Sequence, residues 1–155
     1  MNYFYPLDRI THWPRLYGRR GFIQYQCVIP TESAYSVVKQ ILETLNTKNH
    51  PVCLAVLKRF GKESLAPLSF ALPGFTLAVD LPIVNQELFN CLDYLDGLVI
   101  AAGGRVYLAK DARLKPKTFR AMYPRYQDWL AVKKVWDPEN KFNSSLARRL
   151  EITGE

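Results

Sequence analysis

Two glutamines, Gln24 and Gln26, stand two apart in the run GFIQYQCVIP (21–30). On an extended chain both amides leave one face, with Phe22 and Val28, while Ile23, Tyr25, Cys27 and Ile29 leave the other. Amides on a covered strand face require hydrogen-bond partners, so this face either binds something or turns to water. Lys58 and Phe60 pose the same choice. In VCLAVLKRF (52–60) they share a face with Leu54 and Val56, and the lysine breaks an otherwise apolar row. The segment GGRVYLAKDAR (103–113) is richer: Arg105, Tyr107 and Ala109 alternate with Val106 and Leu108, and Lys110-Asp111 closes the strand. An ammonium beside a phenol suits anionic or hydroxyl-rich ligands, because the lysine donates to oxygen and the phenol can donate or accept. An exposed Lys-Asp strand end is the plain alternative.

Other chemistries find little material. His12 and His50 are the two histidines, one near Trp13-Pro14 and one before Pro51, which leaves no basis for a histidine triad or a multi-histidine metal site. Cys27, Cys53 and Cys91 are widely separated, so neither a zinc motif nor a disulfide framework is expected, and a reduced, cytoplasmic chain fits. The basic series Arg113, Lys115, Lys117, Arg120 and Arg125, with Tyr123 and Trp129, has the mixture of a nucleic-acid binder. It lacks the known RNA-binding signatures and reads better as a solvated positive face. No nucleic-acid partner is expected. A net charge of +7 over 155 residues still favours an anionic partner, either a phosphate-bearing ligand or a peripheral membrane contact. No apolar run approaches a membrane span, the N-terminus lacks the pattern of a signal peptide, and the sequon Asn143-Ser144-Ser145 is read as accidental.

The elements that must position these residues follow from periodicity. After an irregular, aromatic and arginine-rich lead-in over the first twenty residues comes the strand 21–30, and Thr31 is placed to cap a helix carrying Ala34, Val37, Val38, Ile41, Leu42 and Leu45. Residues 52–60 and 68–83 read as extended, the second broken by Pro73-Gly74, and the two are expected to pair. A second helix from Asn85 carries Leu88, Leu92, Leu95, Val99 and Ala102 on one stripe and is stopped by Gly103-Gly104; a strand over 105–109 follows. This order predicts an α+β fold, an antiparallel sheet backed by two helices in the split βαβ, ferredoxin-like arrangement. Short helices over 115–122, 124–135 and 144–150 form a tail, and no linker divides the chain, so 1–155 is expected to be one domain.

The strings YPLDRITHWPRLYGRRGFIQYQCVIP, LAVLKRFG, PGFTLAVDLPI, GGRVYLAKDARLKPKTFRAMYPRYQDWLAVKKVWDPENKF and SSLARRLEI closely resemble the C-terminal portion of the decaprenylphosphoryl-ribose oxidases, flavoproteins of the vanillyl-alcohol-oxidase class. The resemblance runs in order from about Tyr5 to Ile152. It implies a substrate-covering cap over a flavin held by a separate FAD-binding domain, and oxidation of the ribose 2-hydroxyl of a polyprenyl-phosphate sugar by hydride transfer to FAD. A partner reductase would then complete a 2-epimerisation that serves cell-wall biosynthesis. Carried over to this chain, the resemblance implies Lys110 and Tyr107 as catalytic and Gln24, Gln26, Lys58, Phe60 and Thr76 as substrate-binding. It places Lys110 and Ala78 against the cofactor.

This sequence departs from the actinobacterial pattern within TLAVD (76–80). Those members carry Asn where Thr76 stands and Cys where Ala78 stands, the thiol lying against the flavin, so thiol-directed covalent inhibitors should not react at Ala78. The chain also has no G-x-G-x-x-G string or other phosphate-binding glycine loop. It is therefore expected not to bind FAD tightly or to turn over alone. The flavin-binding domain would be supplied in cis or as another chain. A stand-alone binding module for a phosphosugar lipid or another anionic ligand is the alternative.

Overall fold

In the computed structural model, which describes residues 11, 12, 15 and 17–153, four strands and two long helices alternate as the sequence pattern requires. The elements are β1 (Phe22–Pro30), α1 (Thr31–Thr47), β2 (Leu54–Phe60), β3 (Gly74–Pro82), α2 (Glu87–Ala101) and β4 (Arg105–Val106). One 3-10 turn over Leu108–Lys110 follows, and then the tail helices α3 (Pro116–Met122), α4 (Tyr126–Trp136) and α5 (Ser145–Arg149). The sheet order is β2-β3-β1-β4, with every adjacent pair antiparallel. This is the expected α+β, split βαβ arrangement. Most of the lead-in lies outside the described residues.

Alternation along β1 and β3 decides the layers. Ile23, Tyr25, Cys27 and Ile29, together with Leu77, Val79 and Leu81, are buried beneath α1 and α2. The helices answer with Ala34, Ile41 and Leu45 from α1 and Leu88, Leu92, Leu95 and Val99 from α2, each spaced three or four residues from the next or a multiple of it. Burying one such leucine fully stabilises the fold by roughly 2–3 kcal/mol. Phe119, Met122, Tyr123, Leu150 and Ile152 extend this core into the tail. The Tyr123 hydroxyl donates to the Val106 carbonyl at 2.6 Å, so the tail is fastened to the short edge strand.

Glycines act at one junction. Gly103, at φ 71°, takes the left-handed conformation that ends α2. A side chain on Gly104 would bring its Cβ to 2.4 Å from the Val28 carbonyl, so only glycine lets β4 lie this close to β1.

Four expectations need correction. The strand predicted over 105–109 spans Arg105–Val106 alone: the Tyr107 N–H still donates to Gln26 O at 2.8 Å, but Lys110 N–H then donates to Tyr107 O at 3.0 Å and the chain curls into the 3-10 turn. Residues 68–73 are not strand, and β3 begins at Gly74. Thr31 does not cap α1. Pro30 occupies that position, and the Thr31 N–H goes instead to Pro73 O at 3.3 Å. Leu42, assigned to the core stripe, is 39% exposed because it faces a groove between α1 and the edge strand β2.

Candidate functional site on the open sheet face

The face of the sheet opposite α1 and α2 collects the residues whose types first suggested chemistry. Register places Gln24 across from Asp80, Gln26 across from Ala78 and Val28 across from Thr76 on β1 and β3. On the other side of β3, Val56 stands across from Ala78, Lys58 across from Thr76 and Phe60 across from Gly74. Tyr107, joined to Gln26 through its backbone, carries the row past β4. Gln24, Gln26, Lys58, Phe60, Thr76, Ala78 and Tyr107 therefore take one face of the sheet although the first and the last stand 83 positions apart in sequence.

The two amides do not simply face water. Gln24 Nε2 donates to Asp80 Oδ1 at 2.7 Å, and Asp80, 2% exposed, also receives the Tyr17 hydroxyl on Oδ2 at 2.9 Å. A carboxylate only accepts, so this contact fixes which end of the Gln24 amide points inward and leaves Oε1 as an acceptor. Gln26 Nε2 donates to Thr76 Oγ1 at 3.0 Å. Thr76 itself is 1% exposed and lies beneath the surface, where it accepts the Gln26 amide. Lys58 is exposed, and Ala78 is a small, half-buried floor between Gln26 and Val56.

A wall of rings bounds one side. Phe70 stacks on Tyr107 with ring centroids 4.5 Å apart and meets Phe60 edge-on at 5.7 Å. Arg105 closes the corner behind them, donating to Ser69 O at 2.7 Å and to Glu63 at 3.1 Å. On the other side, the 3-10 turn carries Lys110, which is exposed and borders the same small recess as Gln24 and Arg113. Asp111 anchors that turn: its carboxylate accepts the backbone N–H groups of Arg113 at 2.9 Å and Leu114 at 2.7 Å, and takes an ion pair from Arg149 at 2.8 Å.

Arg113 is not part of a solvated basic face. Its side chain is 10% exposed and bridges Asp93 and Asp96 on α2. Asp80, Tyr17 and Phe70 were missed in sequence as contributors to the site. The signal for Asp80 was present, since it shares strand parity with Thr76 and Ala78 in PGFTLAVDLPI. No such pattern marks Tyr17 or Phe70, which arrive from irregular segments. Among the described residues no cluster of His, Cys, Asp and Glu could hold a metal ion, and no helix is long and apolar enough to cross a membrane.

The two amides and the small Ala78, walled by rings and accompanied by the exposed Lys58 and Lys110, offer the donors and acceptors that a hydroxyl-rich ligand uses. Residues 19–150 match the D-arabinono-1,4-lactone oxidase family. The chain belongs to this family of FAD-linked oxidases, and corresponds to its C-terminal region. It is 43% identical over 150 residues to the decaprenylphosphoryl-β-D-ribose oxidase of Mycolicibacterium smegmatis, a match covering 97% of this chain and 32% of that protein. It is 37% identical over 132 residues to an uncharacterised Streptomyces coelicolor protein, covering 85% of this chain and 36% of that one. The chain thus spans about a third of the length of the curated relatives it matches.

Proposed function

We propose that this chain is the substrate-covering half of an FAD-linked oxidase active site, and that its open sheet face lies over a flavin held by a separate flavin-binding domain, in cis or as another chain. The carrying observation is the gathering of Gln24, Gln26, Lys58, Ala78 and Tyr107 on the sheet face opposite α1 and α2. The residues present fit the edge and one face of a flavin ring. They do not fit its phosphates, since no glycine-rich loop is available to cradle them, and tight binding of FAD is assigned to the other domain.

The substrate we assign is the ribose of a polyprenyl-phosphate sugar, oxidised at its 2-hydroxyl. The relative from M. smegmatis carries that sugar in its name, and the face here has the matching chemistry. Gln24 Oε1, held outward by Asp80, accepts from a sugar hydroxyl, and Gln26 offers a second acceptor beside it. Lys58 donates to hydroxyl or phosphate oxygen from the β2 side. Phe60, Phe70 and Tyr107 exclude water along one wall. When bound, FAD supplies the acceptor for the hydride that leaves the carbinol carbon. Tyr107 Oη relays the hydroxyl proton outward, because a phenol can accept one proton while donating another. Lys110 sets a positive charge where negative charge accumulates as the hydride departs, and a cation so placed favours the charged product over the neutral reactant. A partner reductase would act next, returning the ketone to the opposite configuration.

The test is anaerobic, single-turnover mixing of the complete enzyme with decaprenylphosphoryl-ribose. Bleaching of the oxidised flavin absorbance is expected, with none when the 155-residue chain replaces the complete enzyme. A complete enzyme that binds the sugar lipid but holds no flavin would overturn the reading in favour of a binding module.

A further inference from the structure

The tail contains a rigid turn that holds large apolar side chains out in water. Helix α4 turns Tyr126 and Trp129 toward the core but buries no residue fully, and its last two turns present Val132, Val135 and Trp136 at the spacing of a single stripe. Their exposures are 57%, 76% and 83%, and Phe142, just past the turn, adds 82%. Flexible ends often expose such groups; this one is not built as a flexible end. Asp137 Oδ1 accepts the Lys141 N–H at 2.8 Å and Oδ2 accepts the Phe142 N–H at 2.9 Å. Asn140 N–H donates to Asp137 O at 3.0 Å, with Asn140 itself in the left-handed region at φ 51°. Lys133 Nζ reaches back to the Asp137 carboxylate and donates to Phe142 O at 2.7 Å, and the side chains of this lysine and aspartate are only 12% and 9% exposed.

We infer that the Asp137–Phe142 turn is a preorganised docking knob, and that Trp136 and Phe142, with Val132 and Val135 beside them, insert into an apolar recess on the flavin-binding domain. Ordering a six-residue turn to hold two rings in solvent is costly unless those rings are covered when the protein works. The occupant follows from length. The chain matches 32% and 36% of its relatives, so about two thirds of each lies beyond the matched region and is the partner most directly at hand for such a face. This inference rests on the two-part reading above and adds a second place where the parts meet, on the tail.

Hydroxyl-radical footprinting of peptide 132–142 tests it. In the complete enzyme, oxidation of Trp136 and Phe142 is expected to fall at least about tenfold relative to the 155-residue chain, the scale of a change from open to fully covered side chains. The double variant Trp136→Ser/Phe142→Ser should loosen the complete enzyme so that the two parts melt separately and flavin is released. Tyr35→Ser, equally exposed on α1, should change neither. Circular dichroism of the double variant as the isolated chain checks that its fold survives. Undiminished oxidation in an enzyme whose flavin is still reduced by substrate would overturn the knob and leave the two-part reading standing. An enzyme that holds no flavin at all would overturn both. Protection already present in the isolated chain through self-association, or acquired only on anionic phosphatidylserine vesicles, would overturn it in favour of a second copy or a membrane surface.

Discussion

Asp80 and Gln24 face each other across the β1–β3 ladder, and the glutamine's Nε2 donates to the aspartate's Oδ1 at 2.7 Å. The aspartate is buried and has no route to a ligand, so its effect on the site passes through the orientation of Gln24. Replacing it with Asn keeps the shape but removes the acceptor-only partner, letting either end of the glutamine amide turn inward. For Asp80→Asn a loss of about 1–3 kcal/mol in stability is expected, because the Tyr17 hydroxyl loses a charged acceptor. In the complete enzyme the KM for substrate should rise about tenfold, the loss of one hydrogen bond, with kcat less affected. Urea unfolding and steady-state kinetics check the two halves; an unchanged KM in a destabilised variant would reduce Asp80 to a structural role.

Lys110 makes the opposite case. Its side chain is exposed on the 3-10 turn, and no ion pair within the described residues holds it. Lys110→Ala should leave the fold within about 0.5 kcal/mol of the parent, as surface substitutions do. Flavin reduction by substrate in the complete enzyme should slow at least about a hundredfold, the usual cost of removing one group that stabilises developing charge. Stopped-flow absorbance gives the rate. Near-normal reduction would remove Lys110 from the catalytic set.

Ala78 offers a positive test of which side chains face the cofactor. Cys27 and Cys91 are fully buried, burial pushing the Cys27 thiol up to about 12, and Cys53 is half-buried and lies outside the peptide 74–82. A thiol-directed inhibitor of the family should form no adduct on peptide 74–82 of the parent enzyme, and Ala78→Cys should gain one. Mass spectrometry of the digested protein decides it. Failure of the cysteine variant to react would move Ala78 out of the pocket.

The architecture was legible because two periods in the sequence are strong: the alternation through β1 and the leucine stripe of α2 fix a two-layer fold almost unaided. Gln24, Gln26, Lys58 and Tyr107 were legible for the same reason, since strand parity reports which face a residue takes. Parity does not report pairing. That Gln24 answers Asp80, and Gln26 answers Thr76, depends on a register set by contacts more than fifty residues apart in the first case and fifty in the second. The misreadings come from the same limit. Arg113 looked like surface charge because its partners, Asp93 and Asp96, stand on another element, and 105–109 looked like a strand because a 3-10 turn preserves no distinctive period.

The Asp96 carboxyl supplies a pH dependence with a definite sign. Its side chain is 4% exposed, held by Arg113 and by the Tyr25 hydroxyl at 3.2 Å. Burial, reinforced by the charge of Asp93, nevertheless outweighs Arg113 and Tyr25 and raises its pKa from 3.8 to about 6. A carboxyl whose folded value lies above its unfolded value binds its proton more tightly when folded. Its contribution to stability is therefore greatest below about pH 4 and declines as pH rises, with the full penalty reached above about pH 6. Two units correspond to about 3 kcal/mol as an upper bound. Asp96→Asn cannot titrate, so the stability of the parent relative to this variant should improve as pH is lowered from 7 to 4, by up to about 3 kcal/mol. Urea midpoints measured for both proteins across that range isolate the effect, because every other titrating group is common to the two. Parallel curves would mean that the Arg113 pair, and not burial, governs this carboxylate.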